Sequence, residues 1–94
     1  MPIGILTLHL YLTYPRSLKA KRGIIKPIIS RLHREFNISV AEFEKQDSWK
    51  EAIILCAIIS NDRSYNEMVL NKVIDFVKMK FPDTQLSDHT IEIL

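Results

Sequence analysis

Hydrophobic and polar positions alternate along the first dozen residues of the chain. Residues 3–12 read IGILTLHLYL and are followed by the turn-forming pair Tyr14-Pro15. Side chains alternate between the two faces of an extended strand. The pattern therefore predicts a first strand with a core face made of Leu6, Leu8, Leu10 and Leu12. Its opposite face would carry Ile5, Thr7, His9 and Tyr11.

Residues 18–36 have the period of an amphipathic helix, and Ser17 is suited to cap its start. At about 100° per residue, the large apolar side chains share one stripe, namely Leu18, Ile25, Ile28, Ile29, Leu32 and Phe36. Gly23 and Pro27 lie one turn apart, so the proline ring presses on the Gly23 carbonyl. We expect a kink there or a semi-independent first turn, with the helix ending near Asn37.

The second half of the chain repeats the alternation of strand and helix patterns. Residues 38–45 alternate as a half-exposed strand, residues 46–48 supply a turn, and residues 50–60 contain a continuous apolar run. A second helix follows, with Ser64 and Glu67 at the spacing of a capping box. Its apolar stripe contains Val69, Leu70, Val73, Ile74, Phe76 and Val77. Phe81-Pro82-Asp83 ends it, and residues 86–94 form the last strand.

The order strand, helix, strand, strand, helix, strand is that of the ferredoxin-like split βαβ unit. It predicts one α+β domain over residues 1–94, a two-layer sandwich with both helices on one face of a four-stranded antiparallel sheet. The first and third strands are central in that topology, and they are the most apolar ones. Another two-layer α+β arrangement is the alternative.

The net charge of +2 conceals an uneven distribution. Seven basic residues precede Glu35, the first acidic one, whereas the rest of the chain carries six basic and eleven acidic residues. Such polarity favours an anionic partner at one end of the molecule. The lone Cys56 cannot form an internal disulfide, and no apolar stretch approaches the length of a membrane span. We expect a cytoplasmic protein with no membrane partner.

The basic residues are densest at the start of the first helix. A helix N-terminus has unpaired N–H groups and a partial positive charge, so cations are unfavourable there unless an anion is bound. We interpret this segment as a phosphate- or RNA-binding site made of Arg16, Ser17, Lys19, Lys21, Arg22 and Lys26. Lys21 instead points toward the apolar stripe, so it must either extend past the end of the sheet to solvent or pair with a carboxylate such as Asp47 or Asp62. A solvated basic face is the alternative interpretation.

The open face of the sheet is a second candidate surface. His9 and Tyr11 lie there, but the paired aromatics and the basic-aromatic signature of RNA-recognition motifs are missing. The apolar third strand would leave Ile54, Cys56 and Ile58, or their neighbours, bare on this face. A second copy of the chain or another protein would cover such a patch.

The chain offers no catalytic constellation. It lacks a paired-carboxylate motif, a nucleophile with its base and a glycine-rich phosphate loop. Its histidines, His9, His33 and His89, lack ligand-like partners, so we expect no metal site. We expect a protein that is not an enzyme and that uses no cofactor.

Four strings of the sequence resemble the YlxP-like family of small bacterial proteins of uncharacterised function. They are residues 16–22 (RSLKAKR), 36–42 (FNISVAE), 46–49 (QDSW) and 60–62 (SND). The resemblance implies a ferredoxin-like fold and a cytoplasmic bacterial protein. It also implies a link to ribosome maturation or RNA, since such genes often lie near those of ribosome-binding factor A and translation initiation factor two.

One departure from that family concerns Ala20, where a glutamate is usual, so half of a capping box is lost and the helix start is more positive. Asp47, Asn61 and Asp62 match the family, which assigns them no chemistry. We suggest structural roles, in which Asp47 or Asp62 orients Lys21 and Asn61 caps the second helix.

These observations favour a non-catalytic protein that binds RNA or ribosomal particles through the basic helix start. The alternatives are a homodimerising or protein-docking module that uses the open sheet face, and a sensor of a small anion or nucleotide at the Ser17 helix start.

Overall fold

The structure, a computed structural model, describes residues 2–94 as two helices and one four-stranded sheet. The elements are β1 (Ile3–Leu12), α1 (Leu18–Glu35), β2 (Ser39–Glu42), β3 (Glu51–Ile59), α2 (Arg63–Lys80) and β4 (Thr84–Ile93). The strands are antiparallel in the order β2-β3-β1-β4, with β1 and β3 in the centre. This is the ferredoxin-like α+β architecture, and the predicted fold class is confirmed.

Both helices pack on the leucine face of β1. All four leucines of that face are at most 2% exposed. They share one core cluster with side chains of both helices and of β3, including Ile25, Ile28, Leu32, Leu70, Val73, Val77 and Ile54. Because one cluster contains residues of both helices, the helices lie on the same side of the sheet and the other side carries none.

The start of α1 agrees with the prediction. Ser17 Oγ accepts a hydrogen bond from the Ala20 N–H at 3.0 Å. The helix then continues without a break through Gly23 and Pro27 to Glu35, so the idea of a semi-independent first turn is wrong. Pro27 has no N–H to donate to the Gly23 carbonyl, so one helical hydrogen bond is missing here. Ile25 and Ile28, which are close to it along the helix, are buried, and their packing stabilises this part of the helix. Phe36 caps its end, one residue before Asn37.

β2 is shorter than the alternating pattern of residues 38–45 predicts. It ends at Glu42, because Glu44 and Lys45 both have φ of 53°. A left-handed backbone cannot continue a strand, and it is costly for residues other than glycine. The loop of residues 43–50 therefore turns away from the sheet edge after one more hydrogen bond, from the Phe43 N–H to the Ile53 carbonyl at 2.8 Å.

The start of α2 corrects two predictions. The cap is Asp62, whose Oδ1 accepts from the N–H groups of Ser64 at 2.9 Å and Tyr65 at 3.3 Å. Ser64 is thus inside the first turn, and Asn61 is an exposed residue outside the helix. Asp62 takes the capping position because its extended backbone directs the carboxylate onto the free N–H groups of the first turn.

Candidate nucleic-acid interface

Four cations at the start of α1 reach solvent together. Arg16, Lys19, Arg22 and Lys26 are exposed, and we call this set the basic patch. The first turn of α1 contains no acidic residue. The ion pairs of residues 2–94 join Lys21 to Glu42, Arg31 to Glu35 and Lys45 to Glu51, and none involves the basic patch. Its charges are therefore free to bind an anion.

Helix geometry places the basic patch on one strip of surface. Lys19, Arg22 and Lys26 project within about 60° of one another around the α1 axis. At about 1.5 Å per residue, the first and last of them are separated by about 10 Å along the axis. Arg16, which is also exposed, directly precedes the Ser17 cap. This shape suits an extended anionic chain better than a single small anion.

Lys21 does not belong to that surface, although the sequence grouped it with the phosphate-binding residues. Its side chain is 3% exposed, and its Nζ lies 3.2 Å from Glu42 Oε2. The same Nζ donates a hydrogen bond to the Lys45 carbonyl at 2.7 Å. The predicted carboxylate partner exists, but neither suggested residue provides it. Asp62 instead caps α2, and Asp47 lies near Lys21 without pairing with it.

The buried ion pair opens onto a polar cavity of about 310 Å³, which we call the Glu42 cavity. Its lining comes from α1, from the last residue of β2 and from the loop that follows it, and it consists of Leu18, Lys21, Arg22, Glu42, Gln46 and Asp47. Three of the four strings that carry the family resemblance contribute to this lining. Arg22 belongs both to the cavity and to the basic patch, so the two features are continuous.

Glu42 is the site residue that our sequence reasoning missed as a partner of Lys21. A signal was present, because Glu42 shares its strand face with Val40, which packs against the core. An acidic side chain on that face needs a cation from the helix layer, and Lys21 is the helix cation that points inward. The strand pattern and the helix angle together would have identified the pair.

Backbone and side-chain hydrogen bonds fix the loop beside the Glu42 cavity. The Lys45 carbonyl accepts from the Ser48 N–H at 3.0 Å as well as from Lys21. Ser48 Oγ in turn accepts from the Glu51 N–H at 3.1 Å, which connects the loop to the start of β3. These bonds hold the left-handed backbone at Glu44 and Lys45 in place and make the cavity wall preformed.

His9 and Tyr11 lie on the open sheet face, as predicted. The register places them opposite Ile53 and Glu51, and they help to line a cavity of about 350 Å³. The same register directs Ile54, Cys56 and Ile58 into the core, so it is their neighbours that occupy the open face. This face also has a shallow apolar depression of about 220 Å³, which is lined in part by Ile5, Ala41, Leu55 and Ala57.

Three further observations on residues 2–94 concern the thiol of Cys56, metal binding and membrane crossing. Cys56 is completely buried, and this burial raises the pKa of its thiol to about 12. Within the described residues, no three or more histidine, cysteine, aspartate or glutamate side chains are grouped so that they could hold a metal ion. Neither described helix combines the length and the apolar content that crossing a membrane requires.

The fold and the site together define a small ferredoxin-like domain with a basic helix start beside a polar cavity. Comparison with known sequences gives its family. The chain belongs to the family described as "Protein of unknown function (DUF503)", which matches residues 3–91. It is also similar to "Uncharacterized protein YlxP" of Bacillus subtilis (strain 168), with 35% identity over 69 residues, 73% of this chain and 74% of that protein.

Proposed function

We propose that the protein is a non-catalytic RNA-binding module that associates with ribosomal particles through the basic patch. The observation that carries the proposal is the set of exposed cations at the start of α1 that have no acidic partner in residues 2–94. Cations at a helix N-terminus oppose the helix dipole, so they cost stability unless an anion is bound there. The gene neighbourhood implied by the family resemblance points to the same partner.

The expected energetics follow from counterion release. If all four cations of the basic patch contact phosphates, the slope of log K against log salt is about −2.8 on single strands and about −3.6 on duplex RNA. Affinity then falls by about 50- to 150-fold between 50 and 200 mM salt. Fluorescence anisotropy with labelled structured RNA, and co-sedimentation with ribosomal subunits, measure this dependence.

Lys19→Ala/Arg22→Ala tests whether the basic patch makes the contacts. Removing two phosphate contacts should weaken binding and reduce the size of the salt slope by about 1.4 to 1.8. Lys72→Ala/Lys78→Ala removes the same charge from exposed positions of α2 and should retain the wild-type slope. Salt-independent or undetectable binding of the wild-type protein would refute the proposal.

A second candidate function is homodimerisation through the open sheet face. It is favoured by the apolar depression beside Ile5 and Leu55 and by Ile59, which lies at the end of β3 and is 68% exposed. These side chains are continuous with one another across β1 and β3. The open face and the basic patch lie on opposite layers of the fold, so a dimer would leave both basic patches free.

A further inference from the structure

A second cavity of the helix layer, with a volume of about 350 Å³, is enclosed by three segments of the chain. They are the end of β1 with the turn that follows it, the first half of α1, and the turn from α2 to β4. We call it the Tyr14 cavity, and its lining includes Tyr14, Gly23, Ile24, Pro27, Lys80 and Pro82. Its size is within the range of small-molecule sites, and its lining combines an aromatic ring and apolar surfaces with a cation.

Tyr14 gives this cavity an accessible aromatic ring on a fixed backbone. Its side chain lines the cavity although the residue is 72% exposed. The residue before a proline is restricted to extended conformations, and Pro15 itself is buried. The backbone of Tyr14 is therefore held in place, while much of its ring is free to pack on another planar group. Bases of single-stranded nucleic acids stack on aromatic side chains of this kind.

Gly23 leaves the α1 wall of the cavity open. A glycine in the interior of a helix lowers stability relative to alanine. Packing does not require it here, because a Cβ atom at Gly23 would meet no neighbouring segment within 4 Å. Gly4 is the opposite case, since a Cβ atom there would lie 2.9 Å from Leu70 Cδ1. The missing side chain at Gly23 thus favours the close approach of a ligand over a role in the core.

The Tyr14 cavity lies beside the basic patch. At about 100° per residue around the α1 axis, Gly23 is about 40° from Lys19 and about 60° from Lys26. Lys80 adds a cation from the end of α2, and Asp83 compensates one charge of the lining. A ligand that places a neutral planar group in the cavity and its phosphates on the basic patch would use both features.

We infer that the Tyr14 cavity binds a base of single-stranded RNA, stacked on Tyr14, while the phosphates on either side of that base lie on the basic patch. In a duplex each base is stacked and paired within the helix, so the cavity selects an unpaired strand. Stacking does not distinguish strongly among the bases, because each of them has a π-face. The inference rests on the proposed function and specifies its RNA as single-stranded.

Two nonamers of equal charge test the inference. One is a uridine nonamer, and the other has the same ribose-phosphate chain without bases. Fluorescence anisotropy with the full chain should show at least about fivefold tighter binding of the uridine nonamer, because a base stacked on an aromatic side chain contributes that factor or more. Equal and salt-dependent affinities would support the basic patch and overturn the assignment of the cavity. No binding of either nonamer would refute the proposed RNA function together with the inference.

Substitutions of Tyr14 connect the preference to its ring. Tyr14→Ala should remove the preference for the uridine nonamer and leave both the affinity for the base-free chain and the salt slope unchanged, since no charge is lost. Tyr14→Phe keeps the ring and should retain the preference. Tyr65→Ala, a control at the other end of α2, removes a tyrosine that is 49% exposed and lies outside the cavity. A preference that survives in Tyr14→Ala would overturn the assignment.

A substitution that fills the cavity provides an independent test. Leucine is a better helix former than glycine, so Gly23→Leu should not lower the thermal midpoint, but it should abolish the preference for the uridine nonamer. Ser30→Leu adds the same side chain at an exposed position of α1 outside the cavity and should retain the preference. A folded Gly23→Leu variant with the wild-type preference would contradict the inference. A wild-type solution mass that falls in Tyr14→Ala would assign the cavity to a second copy of the chain and would also overturn it.

Discussion

Lys21 carries its charge into the interior, where the ammonium meets Glu42 Oε2 at 3.2 Å and the Lys45 carbonyl at 2.7 Å. This one side chain connects α1 to β2 and to the loop of residues 43–50. A buried ion pair is weak evidence for net stability, because desolvation offsets the attraction between the charges. Its effect here is on position, since it holds the loop backbone and the Glu42 carboxylate together.

Lys21→Met should lower the free energy of unfolding by about 1–3 kcal/mol, because it leaves Glu42 and the Lys45 carbonyl without their partner. Urea denaturation measures the change. Lys19→Met, an exposed substitution in the same helix, should change stability by less than about 0.5 kcal/mol. Equal effects of the two substitutions would contradict the structural role of Lys21.

Cys56 gives the protein a pH dependence at the alkaline end. Its folded pKa of about 12 is above the ordinary value of 9.0, so the unfolded chain loses the proton first. This contribution to stability is complete below about pH 9 and is lost as the pH rises toward 12. The loss is at most about 1.4 kcal/mol per pH unit. Cys56→Val should remove this component, seen as a difference in denaturation midpoints between wild type and variant from pH 8 to 10.

The sequence predicts the direction of Lys21 but not its partner. The helical angle places Lys21 near the apolar stripe, so its charge must either reach solvent past the sheet end or meet a carboxylate. Which carboxylate is close depends on how β2 and its loop pack against α1. Asp47 lies in the same cavity, but the left-handed turn at Glu44 and Lys45 leaves Glu42 as the paired acid.

Among the secondary-structure elements, the two helix starts behave differently. The cap of α1 follows directly from the pattern, since Ser17 precedes the first apolar position and nothing else competes for the role. The start of α2 offers three residues that are compatible with local capping rules, namely Asn61, Asp62 and Ser64. Packing of α2 on the sheet decides among them, because buried Asn66 and Val69 set where the first turn lies.

Asp62→Ala should destabilise the protein by about 0.5–2 kcal/mol, because the N–H groups of Ser64 and Tyr65 lose their acceptor. Thermal and urea denaturation both report this loss. Asn61→Ala and Ser64→Ala serve as matched controls with an expected change below about 0.5 kcal/mol. A larger effect of Ser64→Ala than of Asp62→Ala would contradict the cap at Asp62 and support the capping box of Ser64 and Glu67 that the sequence suggested.

At the scale of the whole molecule, the two candidate surfaces occupy different layers. The basic patch lies at the start of α1 in the helix layer, and the apolar depression lies on the helix-free face of the sheet. A partner on one surface does not obstruct the other. Because the two surfaces lie on different layers, the basic patch is separated from the apolar face of the sheet.

Homodimerisation through the open face predicts a concentration-dependent mass in light scattering or analytical ultracentrifugation. Tyr11→Glu and Ile59→Glu, which place a charge at partly exposed positions of that face, should each weaken the dimer at least tenfold without unfolding the domain. Met79→Glu adds the same charge at an exposed position of α2 and should leave assembly intact. A clean monomer at high concentration would exclude this mode of assembly.

The sequence by itself determined the fold, because the period-two leucines of β1 and the helical stripes of α1 and α2 are local signals that all agree with one topology. It also determined the basic start of α1. Only the tertiary structure decided that Lys21 leaves the exposed surface, that Glu42 is its partner and that the β2–β3 loop completes a polar cavity. These features depend on contacts between distant segments, and the left-handed backbone that forms the loop is held by one of those contacts, the bond from Lys21 to the Lys45 carbonyl.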